Sequence, residues 1–263
     1  MNRQPPSRPE PRDLLMLTKP AITRMCLVTT SGGLLLAPGE VTPSLALSAL
    51  LGTALAVAGA NAFNMWLERD TDRLMGRTKR RPLPAGRMRP ATAVKFAAIL
   101  SALSFPVLAV GTNLLTAVLG LMAIAGYVCV YTPLKYRSPL ALLVGAIPGA
   151  APPLLGWTAV TGSIDAGGLV LFGILLVWQI PHFLAIALFR KQEYARAGIM
   201  TVPNVRGDAV AKIQAVAWAL VLVPLSLMLT PFGVAGFFYF ASAMLLGMGF
   251  AGWAFTGLDD AAG

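Results

Sequence analysis

Charge is scarce in this sequence: 12% of its residues are charged, 56% are hydrophobic, and the mean hydropathy is +0.70. Soluble domains carry about a quarter charged residues, so this composition excludes an ordinary one. Histidine is nearly absent, with one in 263 residues, and the two cysteines, Cys26 and Cys129, stand apart in apolar stretches. Without a second Cys or His at a ligand spacing, neither a disulfide framework nor a structural zinc is expected. Acidic residues are outnumbered, 11 against 21 Lys and Arg, for a net charge of +10. In a soluble protein that excess points to nucleic acid, but in a membrane protein it reports topology, and no nucleic-acid partner is expected. The first apolar run leads on into further spans rather than to a small-residue cleavage site, so no removable signal peptide is expected either.

Apolar length is what the chain has. A membrane helix needs about 20 mostly apolar residues. Windows of that kind lie near 21–38, 44–67, 91–110, 114–132, 139–160, 167–189, 209–230 and 233–256. The expected fold is therefore all-α, a polytopic bundle of about eight transmembrane helices around a central cavity open to the cytoplasmic side. One transmembrane domain over 21–256 would follow an N-terminal tail over 1–20. With the N-terminus inside, all 21 Lys and Arg fall in that tail, in the inner connections 68–90, 133–138 and 190–208, or within about a turn of a span's inner end. The outer connections hold only Glu40 and Asp165. Such sorting is the signature of a multi-pass protein of the plasma (inner) membrane with a cytoplasmic N-terminus.

Three features of the inner face carry chemistry. The second span runs into Asn61-Ala-Phe-Asn64-Met-Trp-Leu-Glu68-Arg-Asp70-Thr-Asp72. At helical pitch Asn64, Glu68 and Asp72 fall within about 80° of one another, while Asp70 points away, rotated about 160° from Glu68. Oxygen ligands one turn apart suit Mg²⁺, which binds through one or two carboxylates plus substrate phosphates. The alternative is a solvated helix end in which Glu68 and Asp72 pair with Arg69 and Arg73, but Asn61 and Asn64 at the membrane boundary need a wet cavity or a partner. Downstream, Arg77, Lys79, Arg80 and Arg81 form a cationic loop suited to phosphate oxygens, although inside-positive topology alone accounts for such a loop as well. After the fourth span, Tyr127, Tyr131, Lys135 and Arg137 read either as part of the site or as an aromatic belt with flanking charge.

In the sixth span, Trp178-Gln179-Ile-Pro181-His182-Phe183 places His182 eight residues before Arg190, about 12 Å into the membrane by helix rise. An intramembrane His is a functional candidate, with a core His bonded to a neighbouring helix as the alternative. Beyond it, Arg190, Lys191, Glu193, Tyr194 and Arg196 mirror the first acidic segment after an even-numbered span, so two inner loops could close over one diphosphate.

These residues together resemble the intramembrane aromatic prenyltransferases, and their haem branch in particular. The likeness rests on Asn64-x-x-x-Glu68-x-x-x-Asp72-x-x-Met75-x-Arg77-Thr78-Lys79-x-Arg81-Pro82-Leu83, Leu17-Thr-Lys19-Pro20, Tyr131-Thr-x-x-Lys135, Gly149-Ala-x-Pro152-Pro153-x-x-Gly156-Trp157, Trp178-Gln179-x-Pro181-His182-Phe183 and Tyr194-x-x-Ala197-Gly198. It covers about residues 14–256. It implies Mg²⁺-assisted transfer of a farnesyl group from farnesyl diphosphate to a vinyl group of haem B, followed by water addition. It also implies that Asn64, Glu68 and Asp72 hold the metal diphosphate, and that Arg77, Lys79, Arg81, Tyr131, Lys135, Arg190, Lys191, Glu193 and Tyr194 surround it. His182 would line the porphyrin pocket. A contact with a haem A synthase or an oxidase-assembly factor stays open, as do two other readings: a prenyltransferase for a quinone precursor and a transporter of an amphipathic anion. The second acidic segment carries Glu193 alone where related enzymes often have several aspartates. A short tail is expected over 257–263, where such proteins usually continue into a ninth helix.

Overall fold

The computed structural model describes residues 10–259, so the first nine residues of the expected N-terminal tail and the last four of the expected C-terminal tail lie outside the described residues. Among the described residues the chain is helical, without strands. Its long helices are α2 (Pro20–Leu36), α3 (Pro43–Leu67), α4 (Pro90–Gly111), α5 (Leu114–Ala125), α7 (Ala141–Thr161), α8 (Ala166–Phe189), α11 (Asp208–Leu227) and α12 (Phe237–Asp259). Short helices are α1 (Pro11–Leu17), α6 (Thr132–Leu134), α9 (Lys191–Arg196) and α10 (Val202–Arg206). Seven segments are long and apolar enough to cross a membrane, with α5 and α6 counted as one. The eighth, α2, has 17 residues, at the short end of the spanning range.

Local chemistry explains where the helices start. Proline occupies the first helical position of α1, α2, α3 and α4, where its missing N–H costs nothing. Thr42, Asn113 and Asp165 cap α3, α5 and α8 by accepting from Leu45 N, Thr116 N and Gly168 N. The α8 cap also accepts from Trp157 Nε1 at 3.0 Å, tying the end of α7 to the start of α8.

Small residues set the packing. A side chain at Gly33 would begin 2.0 Å from the Pro153 carbonyl oxygen, and one at Gly156 2.1 Å from that of Thr30, so the α2 and α7 backbones touch. Close backbone approach of this kind is how helices associate in lipid, where the surroundings are as apolar as the interface. The last helix packs on α11 and turns Phe238, Leu245, Leu246 and Trp253 outward, as a lipid-facing helix does.

Three details depart from the expected layout. The N-terminal tail is partly folded: α1 buries Leu17 against Ala62, Met65, Leu83 and Met88, and the Asp13 carboxylate accepts from both Nε and Nη2 of Arg87. That clamp makes the basic loop 68–90 a structured cap. The eighth span starts at Phe237 rather than 233, because Gly233 takes a left-handed turn (φ 74°) after α11. The fourth span is not one uniform α-helix, since residues Gly126–Tyr131 widen into a π-helical turn before α6. Thr132 Oγ1 donates to the Tyr127 carbonyl there, across five residues. Such turns often sit at functional sites.

Candidate functional site

At the end of the bundle that carries the basic loops, a cavity opens between α2, α3, the π turn, α7, α8 and the 190–202 segment. Asn64, Glu68 and Asp72 line it together. The route differs from the expected continuous helix. The α-helix ends at Leu67 with Glu68 as its cap, and Thr71–Leu74 is a tighter 3₁₀ turn. One further helical hydrogen bond, Asp72 N to Glu68 O at 2.8 Å, carries the stripe onward, so Asp72 stays inside and Asp70 points out.

Each of the three oxygen-bearing side chains meets a cation. Lys19 Nζ donates to Asn64 Oδ1 at 2.6 Å, Lys135 Nζ to Glu68 Oε1 at 2.5 Å, and Arg81 Nη1 to Asp72 Oδ2 at 2.7 Å. Asn64 is held by a second bond, from its Nδ2 to Thr132 Oγ1, so the first acidic segment and the fourth span are fixed to each other. Burial opposes ionisation of Glu68, but Lys135 and Lys19 outweigh it and hold the carboxyl below its ordinary range. Burial also opposes the charge on Lys135, yet Tyr131 and Glu68 reverse that and push its pKa well up. Lys19 behaves differently: burial, reinforced by Arg81 and Lys135, pulls it down to about 7 against the attraction of Glu68.

The donor set fits a hard divalent cation bound jointly with phosphate oxygens: one amide and two carboxylate side chains on one wall, with no soft ligand. Among the described residues no three His, Cys, Asp or Glu groups converge, so protein carboxylates alone do not complete such a site. Phosphate oxygens would supply the rest.

Arg77, Arg81, Tyr131, Lys135 and Tyr194 also line the cavity. The 190–208 segment approaches both other basic connections: Glu193 Oε1 lies 3.7 Å from where a side chain at Gly76 would begin, and Met200 N donates to the Lys135 carbonyl of the 133–138 connection at 2.8 Å. Other expected residues sit outside the lining. Lys79 is exposed on the loop, Arg190 pairs with Glu193 at 3.2 Å, and Lys191 pairs with Asp208 at 2.8 Å.

The structure places His182 away from this cavity. Its imidazole is exposed, stacked on Trp178 at 5.0 Å between ring centres and 13° between planes, and it does not line the cavity. The helix turns Phe183, Ile186 and Ala187 inward, and His182, one residue before Phe183, is rotated about 100° away.

Sequence reasoning gave no site role to Lys19 or Ile22 and left Tyr127 open between the site and an aromatic belt; all three line the cavity. Lys19 stands in the Thr-Lys-Pro string, but inside-positive topology accounted for its charge. Its local signal is conformational: Lys19 is the one non-glycine residue with positive φ among the described residues (48°), a backbone that Pro20 follows. Holding a side chain there costs about 1–2 kcal/mol, and such strain gathers at functional sites.

Beneath the polar cavity lies a second, almost wholly apolar one, walled by α2, α3, α5 and α7 through small residues such as Ala56, Ala60, Gly120, Ala123 and Gly149. Ile22 and Tyr127 line both. A polar, cation-rich chamber adjoining an apolar one is suited to a molecule with a diphosphate head and a hydrocarbon tail.

Comparison with known proteins agrees with that shape. Residues 26–262 match the UbiA prenyltransferase family. A relative from Myxococcus xanthus, named protoheme IX farnesyltransferase, is 52% identical over 240 residues, covering 91% of this chain and 82% of its own. One of the same name from Anaeromyxobacter is 49% identical over 260 residues, covering 99% and 88%. Among solved structures, a UbiA homologue from Aeropyrum pernix superposes with a TM-score of 0.76 at 21% identity, covering 92% of this chain and 90% of that one. A UbiA homologue from Archaeoglobus fulgidus bound to DMAPP and Mg²⁺ superposes at 0.70 and 18% identity, covering 93% and 86%. The chain belongs to the UbiA prenyltransferase family.

Proposed function

We propose, from membership of that family, that the chain moves a farnesyl group from farnesyl diphosphate to a vinyl group of protohaem IX, with addition of water, and releases diphosphate. The observation that carries the reading is the pairing of the Asn64–Glu68–Asp72 wall with an apolar chamber directly beneath it. The names of relatives about half identical over most of their length support the choice of acceptor.

In this reading Asn64, Glu68 and Asp72 hold Mg²⁺ with the diphosphate, and the ion supplies charge neutralisation as the diphosphate leaves. Lys19, Lys135 and Arg81 are preplaced at hydrogen-bonding distance from those groups, so they can turn to the diphosphate oxygens as charge grows there. Arg77 and Tyr194 bound the same chamber from the two inner loops. The farnesyl chain fills the apolar chamber, which keeps water from the allylic carbon until the acceptor has reacted. The sorting of Lys and Arg supports an N-terminus and basic loops on the cytoplasmic face of the inner membrane.

The test is product identification. Purified protein in detergent, given Mg²⁺, farnesyl diphosphate and haem B, is expected to form a pigment heavier than haem B by one farnesyl group plus one hydroxyl group. Unchanged haem, or prenylation of a quinone precursor in its place, would overturn the reading.

A further inference from the structure

The two chambers share only two lining residues, Ile22 and Tyr127. A substrate with its diphosphate against Asn64, Glu68 and Asp72 and its chain in the apolar chamber must thread that neck, and the atom joining head to tail is C1, the carbon whose bond to oxygen breaks. Ile22 offers an aliphatic side chain there. Tyr127 offers an aromatic ring. Its neighbour Tyr131 lies 5.2 Å away but lines the polar chamber only, and the Lys135 ammonium already sits 4.4 Å above that ring. Tyr127 is packed against Ala56, Ala60 and Ile124, and these neighbours hold the ring at the neck.

We propose that Tyr127 is a catalytic residue whose ring stabilises the allylic cation formed at this neck. The inference rests on the prenyl-transfer reading above. As the C1–O bond breaks, its electron pair leaves with the diphosphate and positive charge spreads over C1 and C3 of the chain. The vinyl π electrons of the acceptor then form the new bond to C1, which moves the charge to the inner vinyl carbon. Water adds to that carbon and loses its proton to the released diphosphate. An aromatic face attracts a desolvated cation strongly, and no counter-charge at the neck is needed that would trap the cation as an ester. The π-helical turn matters here, because a wider turn brings residues four apart, Tyr127, Tyr131 and Lys135, nearer to one line facing the cavity.

The test separates a ring effect from a packing effect. Tyr127→Phe is expected to keep kcat within about threefold. Phenylalanines at 127 carrying one, two and three fluorines, which drain the ring face with little change of shape, should lower log kcat stepwise while KM for farnesyl diphosphate stays flat. Tyr127→Leu should lose about 30-fold in kcat, equivalent to about 2 kcal/mol. A flat fluorine series, or losses that appear in KM alone, would overturn the proposal. Because the series reads C1–O cleavage, diphosphate release is measured beside pigment formation. A wild-type protein that releases diphosphate without making the haem product would sink the acceptor assignment and leave the slope intact.

Discussion

Lys19 and Asn64, 45 residues apart in sequence, are joined by a hydrogen bond of 2.6 Å from the Lys19 ammonium to the amide oxygen. The bond fastens the strained start of α2 to the α3 wall of the polar chamber. It also puts a cation of lowered pKa beside the proposed diphosphate site.

A lysine pulled down to about 7 changes charge in the working pH range. Above that pH the free protein loses a cation that the diphosphate needs, so kcat/KM for farnesyl diphosphate should fall as pH rises through about 7. Arginine stays protonated, and Lys19→Arg should remove that limb of the profile. Lys19→Met should cost about 10- to 100-fold in kcat/KM below about pH 7, with the gap to wild type closing as wild type loses its own proton above that pH. The stability term has the opposite sense. The unfolded chain holds the Lys19 proton up to about 10.5, so between about 7 and that value it binds more protons than the folded one and stability gains from rising pH. Rate and melting profiles of wild type and Lys19→Arg, recorded together, check both signs.

Adjacent glycines give a packing test with its own control. A side chain at Gly33 would meet the Pro153 carbonyl at 2.0 Å, and backbone cannot swing aside, whereas Gly32 has nothing within 4 Å. Gly33→Ala should therefore lose about 2–3 kcal/mol or fail to assemble. Gly32→Ala should melt like wild type or slightly higher, since alanine favours the helix by up to about 1 kcal/mol. Thermal unfolding in one detergent compares them directly.

How much of this was legible in the sequence depends on the range of the signal. The spans follow from apolar length, and the grouping of Asn64, Glu68 and Asp72 on one cavity wall follows from their helical spacing. Long-range pairing was not legible: nothing local says that Lys19 will reach Asn64, that Lys135 will reach Glu68, or that Asp13 will clamp Arg87. The π-helical turn was hidden too, because Gly126–Tyr131 is apolar and aromatic like any span. His182 is legible in one respect only. Its depth could be counted from Arg190, but which way it faces depends on the rotation of α8 against α7 and α11.

That rotation leads to an expectation for His182. The imidazole lies on the Trp178 side of α8, off the cavity lining. His182→Ala should leave KM for farnesyl diphosphate within about twofold and cost less than about 1.5 kcal/mol of stability, as fits loss of one exposed ring stack. Isothermal titration with a non-reacting farnesyl diphosphate analogue checks the first part and a melt the second. A large loss of analogue binding would mean the side chain turns inward in the working protein.

Two aspartates two residues apart give the sharpest contrast. Asp72 is 1% exposed, faces the chamber and is bonded to Arg81 at 2.7 Å. Asp70 is mostly exposed and lies between Arg69 and Arg73 at 3.4 and 3.6 Å. Surface pairs like these contribute a few tenths of a kcal/mol, so Asp70→Asn should keep activity within about twofold. Asp72→Asn removes a charge aimed at the proposed metal and diphosphate and also frees Arg81 from its partner. Losing one preorganised charge of that kind lowers kcat by about 10²–10³-fold. Arg81→Gln breaks the same ion pair while sparing the carboxylate, so its loss of turnover reflects only the cation that Arg81 lends to the diphosphate. The expected order of turnover at saturating Mg²⁺ is Asp70→Asn near wild type, Arg81→Gln intermediate and Asp72→Asn lowest. Equal turnover for the two aspartate variants would remove the stripe from the site even with the family membership standing.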